Sequence, residues 1–253
     1  MFNIGDTVTR NSYNNDIVFV ITDIIDGVAY LKGDSLRLIA DAPLSDLSIS
    51  NQRDEFDPDI DDYNFNRDEY FYMPAKILHL DGDNDYLEKS LRYYKKCGVH
   101  AYGKTVSEAD MASELEYVLK DYKPDILVIT GHDAYNLKNG DVKDVKNYKN
   151  SKFFADAIKV AREYESSHEK LVIIAGACQS DYEYLLTNGA NFASSPKRVN
   201  IHALDPAIIA VDIALTEKSK SIDIKKLLSK TKYGSDGIGG LISNGMMYIG
   251  YPR

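Results

Sequence analysis

Two cysteines in 253 residues, Cys97 and Cys178, are too few for a disulfide framework. That scarcity points to a reducing cytosol, where a thiol nucleophile survives. Long apolar runs are missing as well: none approaches the roughly 20 residues that span a bilayer. The opening Met1-Phe-Asn-Ile-Gly-Asp6 has neither the basic region nor the apolar core of a signal peptide, so a soluble protein made without export is expected. Positive charge is in deficit, 30 basic against 39 acidic residues for a formal charge of -9, which excludes general attraction to nucleic acid or anionic lipid. Internal repeats and low-complexity tracts are absent. Gly237-Ile-Gly-Gly240 lacks the spacing and the strand-to-helix context of a dinucleotide loop and reads as flexible chain. Asp81-Gly82-Asp83 has no third ligand specified by spacing, so neither metal nor cofactor is expected.

What is present falls into three parts. Residues 1–49 carry short β-branched or aromatic runs, Ile17–Thr22, Val28–Leu31 and Leu36–Ile39, behind an opening strand Gly5–Arg10. Asp26-Gly27 and Gly33-Asp34 supply the turns, and the pattern predicts a small SH3-like β-barrel, for partner binding or simple packing. Residues 50–72 are an acidic linker: Ser50 to Tyr70 holds eight acids and only two basic residues, Arg53 and Arg67. From residue 73 to 253, strand and helix signals alternate, which predicts a mostly parallel sheet covered on both faces. The strands expected are Lys76–Leu80, Val99–Tyr102, Ile126–Ile129, Leu171–Ile174, Ala190–Ser194 and Gly245–Ile249. Helices are expected over Asn84–Cys97, from a capping box Ser107-Glu-Ala-Asp110 to Tyr122, and over Lys152–Tyr164, Gln179–Leu186, Pro206–Leu215 and Ile222–Ser229.

Two of the buried strands end on reactive side chains. Ile126-Leu-Val-Ile129 runs into Thr130-Gly131-His132-Asp133, and Leu171-Val-Ile-Ile174 into Ala175-Gly-Ala-Cys178-Gln-Ser180. Parallel strands share one carboxyl edge, so an imidazole and a thiol can meet there as a Cys/His dyad. A helix beginning at Gln179 would lower the pKa of Cys178 through its dipole, and Gly176 and Ala177 admit close approach of a substrate. A buried, inert cysteine and a structural histidine are the alternatives. His79 and His100 lie in strands and His168 in a polar loop, which leaves His202 as the substitute base.

The motifs Leu127-Val-Ile-Thr-Gly-His132 and Ile173-Ile-Ala-Gly-Ala-Cys178 resemble the caspase-like cysteine peptidases, a clan that includes gingipains, clostripain and legumain. Over nearly the whole chain, Lys76–Asp83, Leu127–Tyr135, Ala175–Ser180, Gly189–Pro196 and Arg198–Pro206 resemble the sporulation-specific protease family YabG. The resemblance implies an α/β sandwich of caspase-like topology and a cysteine endopeptidase cleaving after arginine. It further implies action in the mother cell on spore coat proteins, with Cys178 as nucleophile and His132 as base. The clan pattern has glycine after the histidine, whereas here Gly131 precedes it and Asp133 follows. Backbone N–H groups at Gly131, Asp133 and Cys178 are therefore the oxyanion candidates. Arginine-specific relatives can carry an acid two residues before the cysteine, where this chain has Gly176, so the acid must come from elsewhere: Asp205 first, then Asp181 and Asp133. A cysteine amidase or amidotransferase using His202, and a coat scaffold with an inert Cys178, are the competing readings. An arginine-directed peptidase would also find Arg53 and Arg67 in its own linker, with Arg53 favoured.

Overall fold

A computed structural model describes residues 2–52, 56, 58, 65–136 and 141–252. The chain divides into two compact units, Met1–Asp57 and Pro58–Arg253. The favoured linker position Arg53 lies outside the described residues.

The first unit is a five-stranded antiparallel sheet, β1 (Thr7–Arg10), β2 (Phe19–Ile25), β3 (Val28–Gly33), β4 (Ile39–Pro43) and β5 (Leu47–Ile49), in the order β4-β3-β2-β1-β5. Alternation turns Phe19, Ile21, Ala29 and Leu31 into a core with Val8 and Leu47. The turn between β2 and β3 is Asp26-Gly27, both with positive φ, as a tight hairpin of matching twist requires.

The second unit is built on a six-stranded sheet. Its strands are β7 (Ile77–Asp81), β8 (Ala101–Thr105), β9 (Ile126–Thr130), β10 (Val172–Ala175), β11 (Phe192–Ser194) and β12 (Ile238–Gly240), in the order β12-β11-β10-β9-β7-β8. Five run parallel and β12 runs antiparallel to β11. A separate ribbon pairs β6 (Phe71–Met73) with β13 (Tyr248–Gly250).

Burial on both faces explains why β9 and β10 read as near-continuous apolar runs and why β7 is apolar apart from His79 and Asp81. On one face, Leu78, Leu80, Leu127, Ile129 and Ile173 pack against α2 (Met111–Tyr122) and α3 (Ser151–Tyr164) through Met111, Leu115, Phe154 and Ile158. α1 (Asn84–Lys96) and α5 (Asp205–Leu215) pack against the sheet strands and each other, α1 on β7 and β8, α5 on β9 and β10. Ten of the eleven α5 residues are buried, as expected for a helix that is apolar all round. Three short helices, α4 (Tyr182–Thr187), α6 (Ile224–Ser229) and α7 (Gly234–Gly237), complete the unit.

Several expectations change. Gly237–Gly240 is not flexible chain: Ile238–Gly240 is the sixth strand, held by its backbone pairing to β11. The capping box does not form, because the Ser107 hydroxyl bonds the Asp110 carboxylate at 2.5 Å and a 3-10 turn over Glu108–Asp110 precedes α2. No helix starts at Gln179. That residue takes φ 58°, the Ser180 hydroxyl accepts from the Ala177 N–H, and α4 opens at Tyr182 behind the N-cap Asp181. A six-residue helix three residues removed gives the thiol no direct dipole support.

Candidate active site

The parallel strands deliver four loops to one edge. β7 leads to Asp83, β9 to His132, β10 to Cys178 and β11 to Ser195. β9 is flanked by β7 and β10, with Asp81 beside Thr130 and Ala175 beside Ile129 in register. His132 and Cys178 therefore leave neighbouring strands at the same end of the sheet.

His132 is fixed by an acid that spacing alone did not reveal. Its Nε2 lies 3.0 Å from Oδ2 of Asp83, and both side chains are about nine-tenths buried, at 12% and 11% exposure. Asp83 is also the N-cap of α1, its Oδ1 accepting from the Asp85 N–H at 3.0 Å and the Tyr86 N–H at 3.4 Å. The Tyr86 ring stands edge-on to the imidazole, centroids 5.7 Å apart. Beneath them is a fully buried network: Tyr94 hydroxyl to His79 Nδ1 at 2.9 Å, His79 Nε2 to Thr130 Oγ1 at 2.7 Å, and the Thr130 hydroxyl to Asp81 Oδ2 at 2.9 Å. Asp81 Oδ1 accepts from the Asp83 N–H at 3.0 Å, joining this network to the acid that holds His132. The Asp81-Gly82-Asp83 carboxylates thus serve a hydrogen-bond framework. The Glu108 carboxylate closes the top, accepting the His132 N–H at 2.8 Å. A Cβ on Gly131 would fall 2.4 Å from Glu108 Oε1, and one on Gly82 2.3 Å, so a side chain at either position would displace the Glu108 carboxylate.

Asp133 braces the two reactive loops. Oδ1 accepts from the N–H groups of Ala134 (2.9 Å) and Asn150 (2.7 Å), and Oδ2 from the hydroxyls of Ser151 (2.5 Å) and Ser180 (2.9 Å). Ser180 in turn accepts from Ala177 N–H at 2.9 Å, which ties the cysteine loop to the histidine loop. Burial pushes the Asp133 carboxyl up, and these donors oppose the shift.

Cys178 has 0% exposure. Its sulfur accepts the Ile201 N–H at 3.2 Å and lies 3.8 Å from the Ile201 carbonyl oxygen. Before it, Gly176 takes φ +106°, with Leu185 and Ser194 too close for a side chain. After it, the Gln179 N–H is shared between the Val199 carbonyl and the Ser195 hydroxyl, each at 3.1 Å.

The expected arginine-binding acids sit differently. Asp205 begins α5, fully buried, with Oδ2 accepting from His202 N–H at 3.0 Å and Oδ1 from Lys232 N–H at 2.9 Å. His202 accepts from Leu204 N–H at Nδ1, 3.1 Å. Asp181 caps α4 and already meets a guanidinium, Arg198, at 3.3 Å. Its carboxyl is pushed up by burial and drawn back by the Tyr184 N–H and Arg198. Glu183 completes the pair with Arg198 at 2.5 Å. No helix among the described residues is long and apolar enough to cross a membrane.

A family model described as YabG peptidase U57 matches residues 3–62 and 51–252. The chain is 41% identical over 285 aligned positions to the sporulation-specific protease YabG of Bacillus subtilis (strain 168), covering 99% of this chain and 98% of that protein. A match across both units, with an imidazole and a thiol on neighbouring strand ends, leads to one assignment: the chain belongs to the YabG peptidase U57 family.

Proposed function

We propose that the protein is a cysteine endopeptidase of sporulation that cleaves after arginine, with Cys178 as nucleophile and His132 as acid and base. The observation carrying this reading is the origin of both residues at the same end of adjacent parallel strands β9 and β10. Asp83 joins them as the group that orients the imidazole.

In the reaction, the Cys178 thiolate attacks the scissile carbonyl carbon and the carbonyl electrons move onto oxygen. Collapse forms a thioester and expels the amine, which takes its proton from the His132 ring. The imidazole then removes a proton from water, whose oxygen attacks the thioester and releases the new carboxyl terminus and the thiol. Backbone N–H groups at Gly131, Asp133 and Cys178 are the candidate donors to the oxyanion. Among the acids, Asp181 is the strongest candidate for the substrate guanidinium because it already pairs with one in the chain. Asp205 and Asp133 direct both oxygens to groups of the chain itself and serve the loops that carry His202 and Ser180.

The architecture we assign is a caspase-like sandwich over residues 73–253, behind an acidic linker at 50–72 and an SH3-like barrel at 1–49. Five parallel strands with helices on the sheet support the first, and the five-stranded antiparallel sheet supports the last. Substrates are spore coat proteins with exposed arginine, met in the mother cell at the forming coat; the relative's name supports the sporulation setting. The competing reading, an inert Cys178, is favoured by its complete burial. Wild type, Cys178→Ala and His132→Ala incubated with arginyl and lysyl peptides, products read by mass, separate the two. Cleavage after arginine by wild type alone supports the assignment, and undiminished cleavage by Cys178→Ala removes it.

A further inference from the structure

Cys178 is fully buried, and one segment of backbone contacts its sulfur. The segment from Arg198 to His202 follows β11 and lies against the cysteine loop, and its Ile201 N–H and carbonyl are among the groups that meet the sulfur. Backbone bonds hold it there, since the Val199 carbonyl accepts both the Gln179 N–H at 3.1 Å and the Ser195 hydroxyl at 2.7 Å. The Gln179 amide adds a 3.3 Å bond to the Asn200 side chain.

One end of this segment is anchored by a side chain. Arg198, in the left-handed region at φ 56°, is 18% exposed. Its Nε donates to the Tyr148 hydroxyl at 2.7 Å, one terminal nitrogen to the Ser195 carbonyl at 3.2 Å, and the other to Asp181 at 3.3 Å and Glu183 at 2.5 Å. Four acceptors converge on one guanidinium, and two of them are charged. The Glu183 carboxyl, though burial raises it, is brought below the usual carboxylate range by Arg198. A left-handed backbone at a non-glycine residue has a conformational cost that these contacts offset.

We propose that Arg198–His202 is a shielding strap over Cys178 and that Arg198 is its latch. While the guanidinium stays between Asp181, Glu183 and Tyr148, the strap covers the sulfur; when it leaves, the segment lifts and the thiol meets solvent. The consequence for proteolysis rests on Cys178 being the nucleophile, but shielding is measured without turnover, so failure of one is distinguishable from failure of the other.

The experiment is iodoacetamide labelling of the full chain under native conditions, with alkylation followed separately at Cys178 and Cys97 by peptide mass. Cys97, at the end of α1 and partly exposed, reports general loosening. Arg198→Gln should raise the Cys178 rate about tenfold or more, as loss of charge-assisted bonds to a local opening unit does, with Cys97 unchanged. Glu183→Gln removes a largely solvent-facing acid, so the fold should hold, and it should raise the rate by a smaller factor in the same direction. Arg198→Lys, with charge but no fork, should fall between wild type and Arg198→Gln. An unchanged Cys178 rate in both Arg198→Gln and Glu183→Gln, or a parallel rise at Cys97, overturns the latch.

Discussion

At the scale of single residues, the pairing of Asp83 with His132 makes the sharpest demand. Asn is as good a helix N-cap as Asp, so Asp83→Asn keeps the start of α1 while removing the charge facing the imidazole. It should lower kcat about tenfold or more, the worth of a hydrogen bond to a charged group, with Tm nearly unchanged; a normal kcat would detach Asp83 from the site. Asp133 gives a pH signature. Its folded carboxyl is raised above 3.8 by burial, so the folded state binds more protons than the unfolded chain in the window just above that value. Stability referred to this group is therefore present at low pH and falls as pH rises through the raised pKa. Wild type should lose Tm relative to Asp133→Asn across that interval, and a constant difference from pH 3.5 to 7 would contradict it. Cys178 and His132 stand out in the sequence as candidates because each follows a buried apolar run. Asp83 was not, since it meets His132 across 49 residues of chain and an acid ahead of a helix looks like an ordinary cap.

Elements show the same division. β9 and β10 announce themselves through runs of Val, Ile and Leu, because both faces are buried, and β7 does so less plainly, since His79 interrupts its apolar residues. β12 does not: Ile238-Gly-Gly240 has almost no side-chain pattern, and its strand character comes from pairing with Phe192–Ser194. The turn around Cys178 was also hidden, because Gln179 in a left-handed conformation breaks the expected helix only in the context of the Val199 and Ser195 contacts. Gly176 is the element-scale test of that turn. A side chain at φ +106° would be strained and would meet Leu185 Cδ1 at 2.9 Å. Gly176→Ala should cost about 1–3 kcal/mol in denaturant unfolding, and a neutral result would mean the turn is not held as described. In the core cluster that includes Leu185, Phe154→Ala should cost about 3–5 kcal/mol, since its ring is fully buried.

For the whole molecule, the proposed cleavage after arginine extends to the chain itself, whose sequence from Ser50 to Tyr70 holds Arg53 and Arg67 as its only basic residues. Storage of wild type should release a fragment beginning at Asp54, after Arg53, while Cys178→Ala stays whole; equal clipping of both would assign the cut to another protease. The alternation of strand and helix was enough to foresee a parallel sheet, whereas the ribbon of β6 and β13 was not, because it joins segments at the two ends of the second unit. The central claim is that Cys178 is the nucleophile of this peptidase, and a covalent arginyl acyloxymethyl ketone tests it most directly. Intact mass and peptide mapping should find one adduct, on Cys178, with none on Cys97, and His132→Ala should slow its formation. An adduct confined to Cys97, or none at all on an enzyme that still cleaves arginyl peptides, would contradict the account.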